Sequence, residues 1–80
     1  MDRANIVSTL EKVFAKVFRR PVPLRDAMTA ADVEGWDSMT NIRLLDAVER
    51  EFGITLSVTE VMSLASVGSL IDTIHAKKPN

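Results

Sequence analysis

Apolar residues recur along the first part of the chain at the spacing of one face of an α-helix. Their separations of four, three, one and three positions are typical of an amphipathic helix. Asp2 precedes the pattern as a candidate N-cap, and Arg19 and Arg20 suit the negative C-terminal end of a helix dipole. Pro21 and Pro23 then stop the helix, because proline cannot continue it. We predict a helix over residues 3–19 with the buried stripe Ile6, Leu10, Val13, Phe14 and Val17.

The following segment, residues 20–37, is a long connection whose apolar residues show no clean periodicity. A loop of this length stays ordered only when side chains pin it to the core. Within it, Thr29 and Asp32 resemble a weak capping box, which indicates a short turn over residues 29–32. The expected pins are Leu24, Met28, Val33 and Trp36.

A second helix is predicted over residues 38–52. It ends at Gly53, because glycine readily adopts the left-handed conformation that closes a helix. Ile54 and Leu56 follow as further core residues. The expected buried stripe of this helix is Ile42, Leu45, Val48 and Phe52.

Two shorter helices complete the pattern. Ser57 and Glu60 form a capping box that opens a short helix near residues 58–63. Ser66 is the expected N-cap of a last helix over residues 67–76. Strands are disfavoured, since no Asn-Gly or Asp-Gly hairpin turn is present. The expected anchors are Val61, Met62 and Leu64 in the third helix and Val67, Leu70, Ile71 and Ile74 in the last, with Lys77 and Lys78 at its C-terminus and Pro79 and Asn80 ending the chain.

These segments predict an all-α fold, a single domain over residues 1–80. We expect a four-helix, antiparallel-type bundle with a long first loop and a short third helix. A chain of 80 residues buries only about 60% of its unfolded surface. That size leaves no room for a deep active-site cleft with its scaffold and disfavours a free-standing enzyme.

Composition excludes several further classes of function. The chain has no cysteine, so disulfides and thiolate metal sites are excluded. Ten basic and 11 acidic residues give a net charge of −1, which disfavours a small DNA-binding domain with a basic recognition helix. No apolar run approaches the ~20 residues of a membrane span, and the first residues lack the layout of a signal peptide. We therefore expect a cytoplasmic protein. We also expect a monomer, because the predicted helices leave no long apolar stripe unaccounted for.

One segment carries a resemblance to a known family. Residues 35–39 read GWDSM, and the helix that follows ends in EREFGI at residues 49–54. This segment resembles the attachment region of acyl and peptidyl carrier proteins, whose motif is Asp-Ser-Leu. Met39 stands where leucine is usual, which is a volume-conserving change. The resemblance covers the whole chain, because the predicted helices and the long loop fall at the family's spacing.

The resemblance implies a non-catalytic carrier. In such proteins the motif serine, here Ser38, bears a 4′-phosphopantetheine arm from coenzyme A whose thiol holds an acyl or aminoacyl cargo as a thioester. The implied partners are a phosphopantetheinyl transferase and the enzymes that load and transfer the cargo. Asp37 belongs to the motif as a cap or a partner contact, and His75 lies far along the chain. We expect no catalytic residue and no metal ligand.

The face of the second helix beside Ser38 is the expected partner surface. In carriers of primary fatty acid synthesis this helix is strongly acidic, whereas here acidic and basic residues alternate. That difference predicts a specialised biosynthetic pathway with its own enzymes. Asp46 and Arg50 are four residues apart and can pair for ~0.2–0.5 kcal/mol. The residues expected to point outward are Met39, Arg43, Asp46, Ala47 and Arg50, of which Met39, Arg43, Asp46 and Arg50 are the candidate partner contacts.

Several alternatives remain open at this point. Met39 can instead pack against the long loop, and the charges can be an ordinary solvated face. Asn41 projects inward and either bonds the loop near Trp36 or lines a cargo channel. Asp37 and Ser38 can be a simple N-cap pair in an unmodified protein-interaction module of the same fold. Little room for sheltered cargo is expected, since the bulky inward candidates Phe14, Phe18, Phe52, Met62 and Ile74 suggest a filled core.

Overall fold

A computed structural model describes residues 1–78 of the chain. Within that range the fold is all-α, as predicted, with four helices and no strand. A short 3₁₀ turn lies in the long first loop, and α1 packs against both α2 and α4. No helix in residues 1–78 combines the length and apolar character needed to cross a membrane. The elements are α1 (Arg3–Phe18), the 3₁₀ turn (Ala30–Asp32), α2 (Ser38–Phe52), α3 (Val58–Met62) and α4 (Val67–Lys77).

Helix α1 begins where its cap predicted and ends one residue early. The Asp2 carboxylate accepts a hydrogen bond from the N–H of Asn5 at 2.8 Å, which confirms Asp2 as the N-cap. Arg19 closes the helix in the left-handed conformation, with φ at 59°. This conformation is unusual for a residue with a Cβ atom and costs roughly 1–2 kcal/mol. Of the predicted stripe, Ile6, Leu10, Val13 and Phe14 are buried and Val17 is half-buried.

Helix α2 has the predicted bounds, but its buried stripe is rotated from the predicted one. Leu44, Val48 and Phe52, each four residues from the next, form the buried face. At 100° per residue, Ile42 lies about 120° around the helix from Val48. Its side chain is 70% exposed, so the prediction that it is buried was wrong. Leu45 is only half-buried.

Helix α3 is a little more than one turn and buries no residue completely. The predicted capping box is present, since Ser57 Oγ accepts from the N–H of Glu60 at 3.1 Å and the Glu60 carboxylate accepts from the N–H of Ser57 at 2.8 Å. Val58 and Met62 are four residues apart and therefore share one face. They are 76% and 83% exposed. Met62 was wrongly predicted as an anchor, because so short a helix turns only one side, with Val61, inward.

Helix α4 confirms its predicted cap and core. Ser66 Oγ accepts from the N–H of Ser69 at 3.2 Å, and the helix extends one residue beyond the predicted end, to Lys77. The Lys77 ammonium pairs with the Glu60 carboxylate at 2.9 Å, which ties α4 to α3. The predicted role of Pro79 and Asn80 lies outside the described residues. The predicted inward residues Val67, Leu70, Ile71 and Ile74 are all buried.

The long loop is held by side chains and by backbone hydrogen bonds. The carbonyls of Asp26 and Met28 accept from the first N–H groups of α4, and an Arg3–Asp26 ion pair ties the same segment to α1. The Glu11 carboxylate accepts from the N–H of Leu24 at 3.0 Å. Val22, between the two prolines, is buried and was not predicted as a pin. Of the predicted pins, Met28 and Val33 are buried and Leu24 and Trp36 are half-buried.

The two ends of the described chain meet. The N-terminal ammonium of Met1 donates to the carbonyl oxygen of Lys78 at 2.8 Å. Lys78 is the C-cap of α4, where unpaired carbonyls carry partial negative charge. The positive ammonium therefore lies at the end of the helix that favours it.

Candidate functional site

The segment before α2 turns sharply and sets up the start of the helix. Gly35 has φ at +87° with open space around its α-carbon, so the glycine is needed for its backbone conformation rather than for lack of room. The N–H of Trp36 donates to the Val33 carbonyl at 3.2 Å, and the N–H of Asp37 donates to the Gly35 carbonyl at 3.1 Å. This turn places Asp37 in extended backbone as the N-cap of α2.

Asp37 caps the helix through its side chain and its backbone carbonyl. Its Oδ1 accepts from the N–H of Thr40 at 2.9 Å, and its carbonyl accepts from the N–H of Asn41 at 2.8 Å. The Thr40 N–H, bonded to this carboxylate, holds the pKa of Asp37 below its usual value. An ionised carboxylate with a lowered pKa is a weak base. The geometry therefore suits a cap and not a member of a catalytic dyad.

Ser38 is the first residue of α2 and its side chain is exposed. Because Asp37 supplies the cap, the Ser38 hydroxyl takes no part in capping and makes no hydrogen bond within residues 1–78. The first turn of α2 holds no acidic residue. The positive end of the helix dipole therefore faces this hydroxyl with one carboxylate, that of Asp37, beside it.

Trp36 and Asn41 join the loop to the inner side of α2. The indole Nε1–H donates to Asn41 Oδ1 at 2.9 Å, which confirms the predicted bond to the loop. The indole packs against the rings of Phe14 and Phe18 in T-shaped geometry, with centroids 5.4 and 6.1 Å away. Trp36 thus covers one end of the core and fixes the side-chain amide of Asn41.

An open groove of about 510 Å³ begins at Ser38. Its walls come from the 3₁₀ turn, the start of α2, α3 and the start of α4. Phe14, Phe52 and Ile74 fill the core, as expected, and the groove lies beside that core, lined in part by alanines. Asn41 bonds Trp36 in the loop and also lines this groove. The lining residues are Thr29, Ala30, Ala31, Trp36, Asp37, Ser38, Asn41, Leu45, Val61, Leu64, Ala65, Ser66 and Leu70.

The outer face of α2 beside Ser38 is mixed in character. Met39 is 66% exposed, which favours an outward position over packing against the loop. Asp46 and Arg50 form the expected pair at 3.3 Å, and Arg43 is exposed with no ion pair in the described part of the chain. Ala47 was expected outside but is half-buried against the core. Ile42, which was predicted to be buried, is exposed and adds an apolar side chain to this face.

A comparison with known families identifies the family of the chain. The family model described as a phosphopantetheine attachment site matches residues 8–74. The chain belongs to this family. The match includes the long loop, the start of α2 and the groove walls. Comparisons with curated proteins and with solved structures gave no match.

Membership defines the chain as a carrier protein with a covalently attached 4′-phosphopantetheine arm, and carrier domains of this family are generally non-catalytic. Four features fit such an arm at the start of α2: an exposed hydroxyl, the positive end of a helix, a first turn without acidic residues and an adjoining groove. The exposed Ser38 hydroxyl is the group at this position that could bear such an arm.

Proposed function

We propose that Ser38 is the attachment point of the arm, and that the protein carries an acyl or aminoacyl cargo as a thioester within a specialised biosynthetic pathway. The site assignment rests on the different roles of two adjacent residues, Asp37 and Ser38, at the start of α2. Asp37 caps the helix, which leaves the Ser38 hydroxyl exposed and without a hydrogen-bond partner among residues 1–78.

Other serines provide an internal comparison. Ser57 and Ser66 also stand at helix starts, but their hydroxyl oxygens accept hydrogen bonds from the N–H groups of Glu60 and Ser69. Ser8 is exposed but lies in the middle of α1, where the N–H groups are already bonded along the helix. Ser38 combines an unengaged hydroxyl with a helix N-terminus that stabilises an anion.

The residues around Ser38 suit the modification but do not catalyse it. Attachment joins Ser38 Oγ to the phosphorus of coenzyme A that bears pantetheine. The pyrophosphate P–O bond breaks, adenosine 3′,5′-bisphosphate leaves, and the hydroxyl proton passes to a base. The lowered pKa of Asp37 makes its carboxylate a poor base. We expect the base to come from the transferase. The start of α2 then stabilises the phosphodiester by roughly 0.3–1 kcal/mol.

The arm supplies a thiol that holds the cargo as a thioester, and the chain supplies the surface that partners bind. On α2 the carboxylate of Asp46 pairs with Arg50, and that of Glu49 accepts from the N–H of Leu56 at 2.7 Å. These pairings leave Met39, Ile42 and Arg43 as exposed groups without such a pairing on the outer face near the attachment point, within residues 1–78. Such a surface suits a partner with an apolar contact and an acidic group, unlike the basic partners of strongly acidic carriers.

The attachment site is tested by intact mass. The protein is incubated with coenzyme A and a broad-specificity phosphopantetheinyl transferase, and wild type is compared with Ser38→Ala. We expect the wild type to gain the mass of one arm and the variant to gain none. Ser8→Ala, Ser57→Ala and Ser66→Ala are matched controls that should load like the wild type. An unmodified wild type would support the alternative, an interaction module of the same fold.

The pathway assignment has a separate test. The loaded protein is offered to the enzymes of a housekeeping fatty acid synthase, and acylation and elongation are followed by mass. Slow or absent elongation is expected, because the outer face of α2 is not strongly acidic. Efficient loading and elongation would refute the specialised role without touching the assignment of Ser38.

A further inference from the structure

A side chain that follows α1 reaches across to the turn before Ser38, residues 33–37. The Arg20 guanidinium donates from Nη2 to the carbonyl oxygen of Glu34 at 2.8 Å. Glu34 precedes Gly35, whose φ of +87° allows the turn. The bond therefore connects the end of α1 with the segment that leads into α2, although 14 positions separate the two residues.

The Arg20 side chain has a second link to the same turn, through an aromatic ring. Its Cζ atom lies 5.6 Å from the centroid of the Phe18 ring, a distance at which a cation and an aromatic face attract each other. The Phe18 ring packs in T-shaped geometry against Trp36, with 6.1 Å between the centroids. One guanidinium is thus linked to the turn directly at the Glu34 carbonyl and indirectly at the Trp36 indole.

The backbone on either side of Arg20 is restricted. Arg19 has φ at 59°, and within residues 1–78 it is the only residue other than glycine with a positive φ. Pro21 disfavours helical backbone at the residue before it, which is Arg20. An unfavourable conformation such as that of Arg19 persists where surrounding contacts compensate its cost. The two contacts of Arg20 are of that kind, because both depend on the direction that the chain takes at Arg19.

The turn determines how Ser38 is presented. The N–H groups of Trp36 and Asp37 donate to the carbonyls of Val33 and Gly35, and Ser38 is the next residue. An enzyme that modifies the Ser38 hydroxyl has to recognise it together with these neighbours. When only part of the molecules hold the recognised conformation, the apparent affinity falls by that fraction. A contact that restrains the turn therefore favours recognition of Ser38.

We propose that Arg20 is a positioning residue for the modification of Ser38: by binding the Glu34 carbonyl, it holds the turn in the conformation that a phosphopantetheinyl transferase recognises. This inference rests on the proposed attachment at Ser38. Arg20 acts through the turn and takes no part in the transfer of the phosphoryl group. Its side chain is exposed and lies outside the buried core, so a substitution leaves that core intact.

The kinetics of loading test this role. Coenzyme A is kept saturating, the concentration of the carrier is varied, and the loaded product is measured by mass. Arg20→Met removes the donor and the charge but keeps an unbranched side chain that can cover Phe18. We expect KM for the carrier to rise roughly two- to tenfold, the effect of losing one modest hydrogen bond. The kcat should stay unchanged, because the bound complex still contains the recognised conformation. A wild-type KM in Arg20→Met would overturn the proposal.

Arg19→Asn is the matched control. It removes the same charge from the neighbouring exposed position, and asparagine tolerates the left-handed conformation found there. This variant should load with the KM of the wild type. An equal rise in KM for Arg19→Asn and Arg20→Met would show that the transferase needs positive charge, and not the bond to Glu34, and would refute the positioning role.

A measurement on the unloaded protein alone separates positioning from direct contact with the transferase. Solvent exchange of the Trp36 and Asp37 amide protons, followed by nuclear magnetic resonance, reports local opening of the turn. We expect faster exchange in Arg20→Met and the wild-type rate in Arg19→Asn, with no change at buried Ile71 of α4 in either variant. A raised KM with unchanged exchange in the turn would overturn the proposal, since Arg20 would then contact the transferase itself.

The two proposals fail in different ways. A wild type that loads at Ser38, together with an Arg20→Met variant that loads with the same KM, would overturn the positioning role and leave the attachment site standing. A wild type that gains no mass would overturn the attachment site, and the role of Arg20 with it. The circular dichroism spectrum of each variant must match that of the wild type, so that a raised KM reports a change at the turn and not a loss of helix.

Discussion

The backbone N–H of Gly68 donates to the carbonyl oxygen of Asp26, with 2.9 Å between nitrogen and oxygen. This bond brings the first turn of α4 directly against the long loop. A Cβ atom added at Gly68 would lie 3.0 Å from that oxygen and 3.2 Å from the Asp26 Cβ. Since Asp26 is also tied to Arg3 of α1, the loop has little freedom to move away.

Gly68→Ala should therefore destabilise the protein, although alanine normally favours a helix over glycine by about 1 kcal/mol. We expect the free energy of unfolding to fall by about 1–3 kcal/mol, the usual cost of overpacking. Urea denaturation followed by circular dichroism measures it. Asp72→Ala, at an exposed position of the same helix, should stay within about 0.5 kcal/mol of wild type. A more stable Gly68→Ala protein would mean that the loop yields to the methyl group.

The buried face of α2 can be checked with two truncations. Leu44 is fully buried, and Ile42 is 70% exposed. Leu44→Ala should lower the free energy of unfolding by about 2–5 kcal/mol, whereas Ile42→Ala should change it by about 0.5 kcal/mol or less. The midpoints of urea denaturation give both values. A larger loss of unfolding free energy for Ile42→Ala than for Leu44→Ala would instead support the buried face predicted from the sequence.

Two substitutions at Asp37, the N-cap of α2, distinguish the effect of its hydrogen bond from that of its charge. Asp37→Ala removes the acceptor for the Thr40 N–H and should cost about 0.5–2 kcal/mol. Asp37→Asn keeps an oxygen acceptor and should retain most of the stability, because asparagine is an equally good N-cap. Thermal denaturation of the three proteins tests this. Equal losses in both variants would show that the carboxylate charge, and not the cap, is what stabilises the helix.

Glu60 gives a pH dependence whose sign follows from its contacts. The Ser57 N–H and the Lys77 ammonium hold the pKa of Glu60 below its usual value of 4.5. A carboxyl whose pKa is lower in the folded state stabilises the protein above its unfolded value and loses that effect as the pH falls through the folded value. We expect part of the acid destabilisation below pH 4.5 to come from this residue.

Urea midpoints across the acid range measure the effect. Glu60→Gln keeps an acceptor for the capping box but does not titrate, so its stability should fall less steeply with acid than that of the wild type. Glu51→Gln, at an exposed residue of α2, is the matched control and should retain the wild-type slope. Identical acid slopes for wild type and Glu60→Gln would contradict the assignment.

Local signals in the sequence determined the helix bounds well. Asp2, Ser57 and Ser66 cap the helices they were predicted to begin, because a cap depends only on residues three positions away. Asp37, predicted as either a cap or a partner contact, caps α2. The candidate attachment serine was found through the resemblance to carrier proteins. Gly53 ended α2 for the same local reason.

The buried face of α2 and the groove were harder to predict, because both depend on the packing of residues that are distant in sequence. Ile42 and Leu44 are equally apolar, and only the packing of α1 against α2 decides that Leu44 is the buried one. The groove arises where the 3₁₀ turn, α3 and α4 meet α2. The alanines that leave its space open, Ala30, Ala31 and Ala65, carry no periodic signal of their own.

The Met1 ammonium contacts the Lys78 carbonyl. Because these two positions are adjacent, the helices could be connected in a different order and keep the same arrangement in space. Joining these two positions with a short linker and opening the chain at exposed Thr55, between α2 and α3, would give a circular permutant with the same core. Such rearrangements succeed where the ends are close and the new opening is exposed. The same closeness means that the chain enters α1 and leaves α4 on one side of the protein.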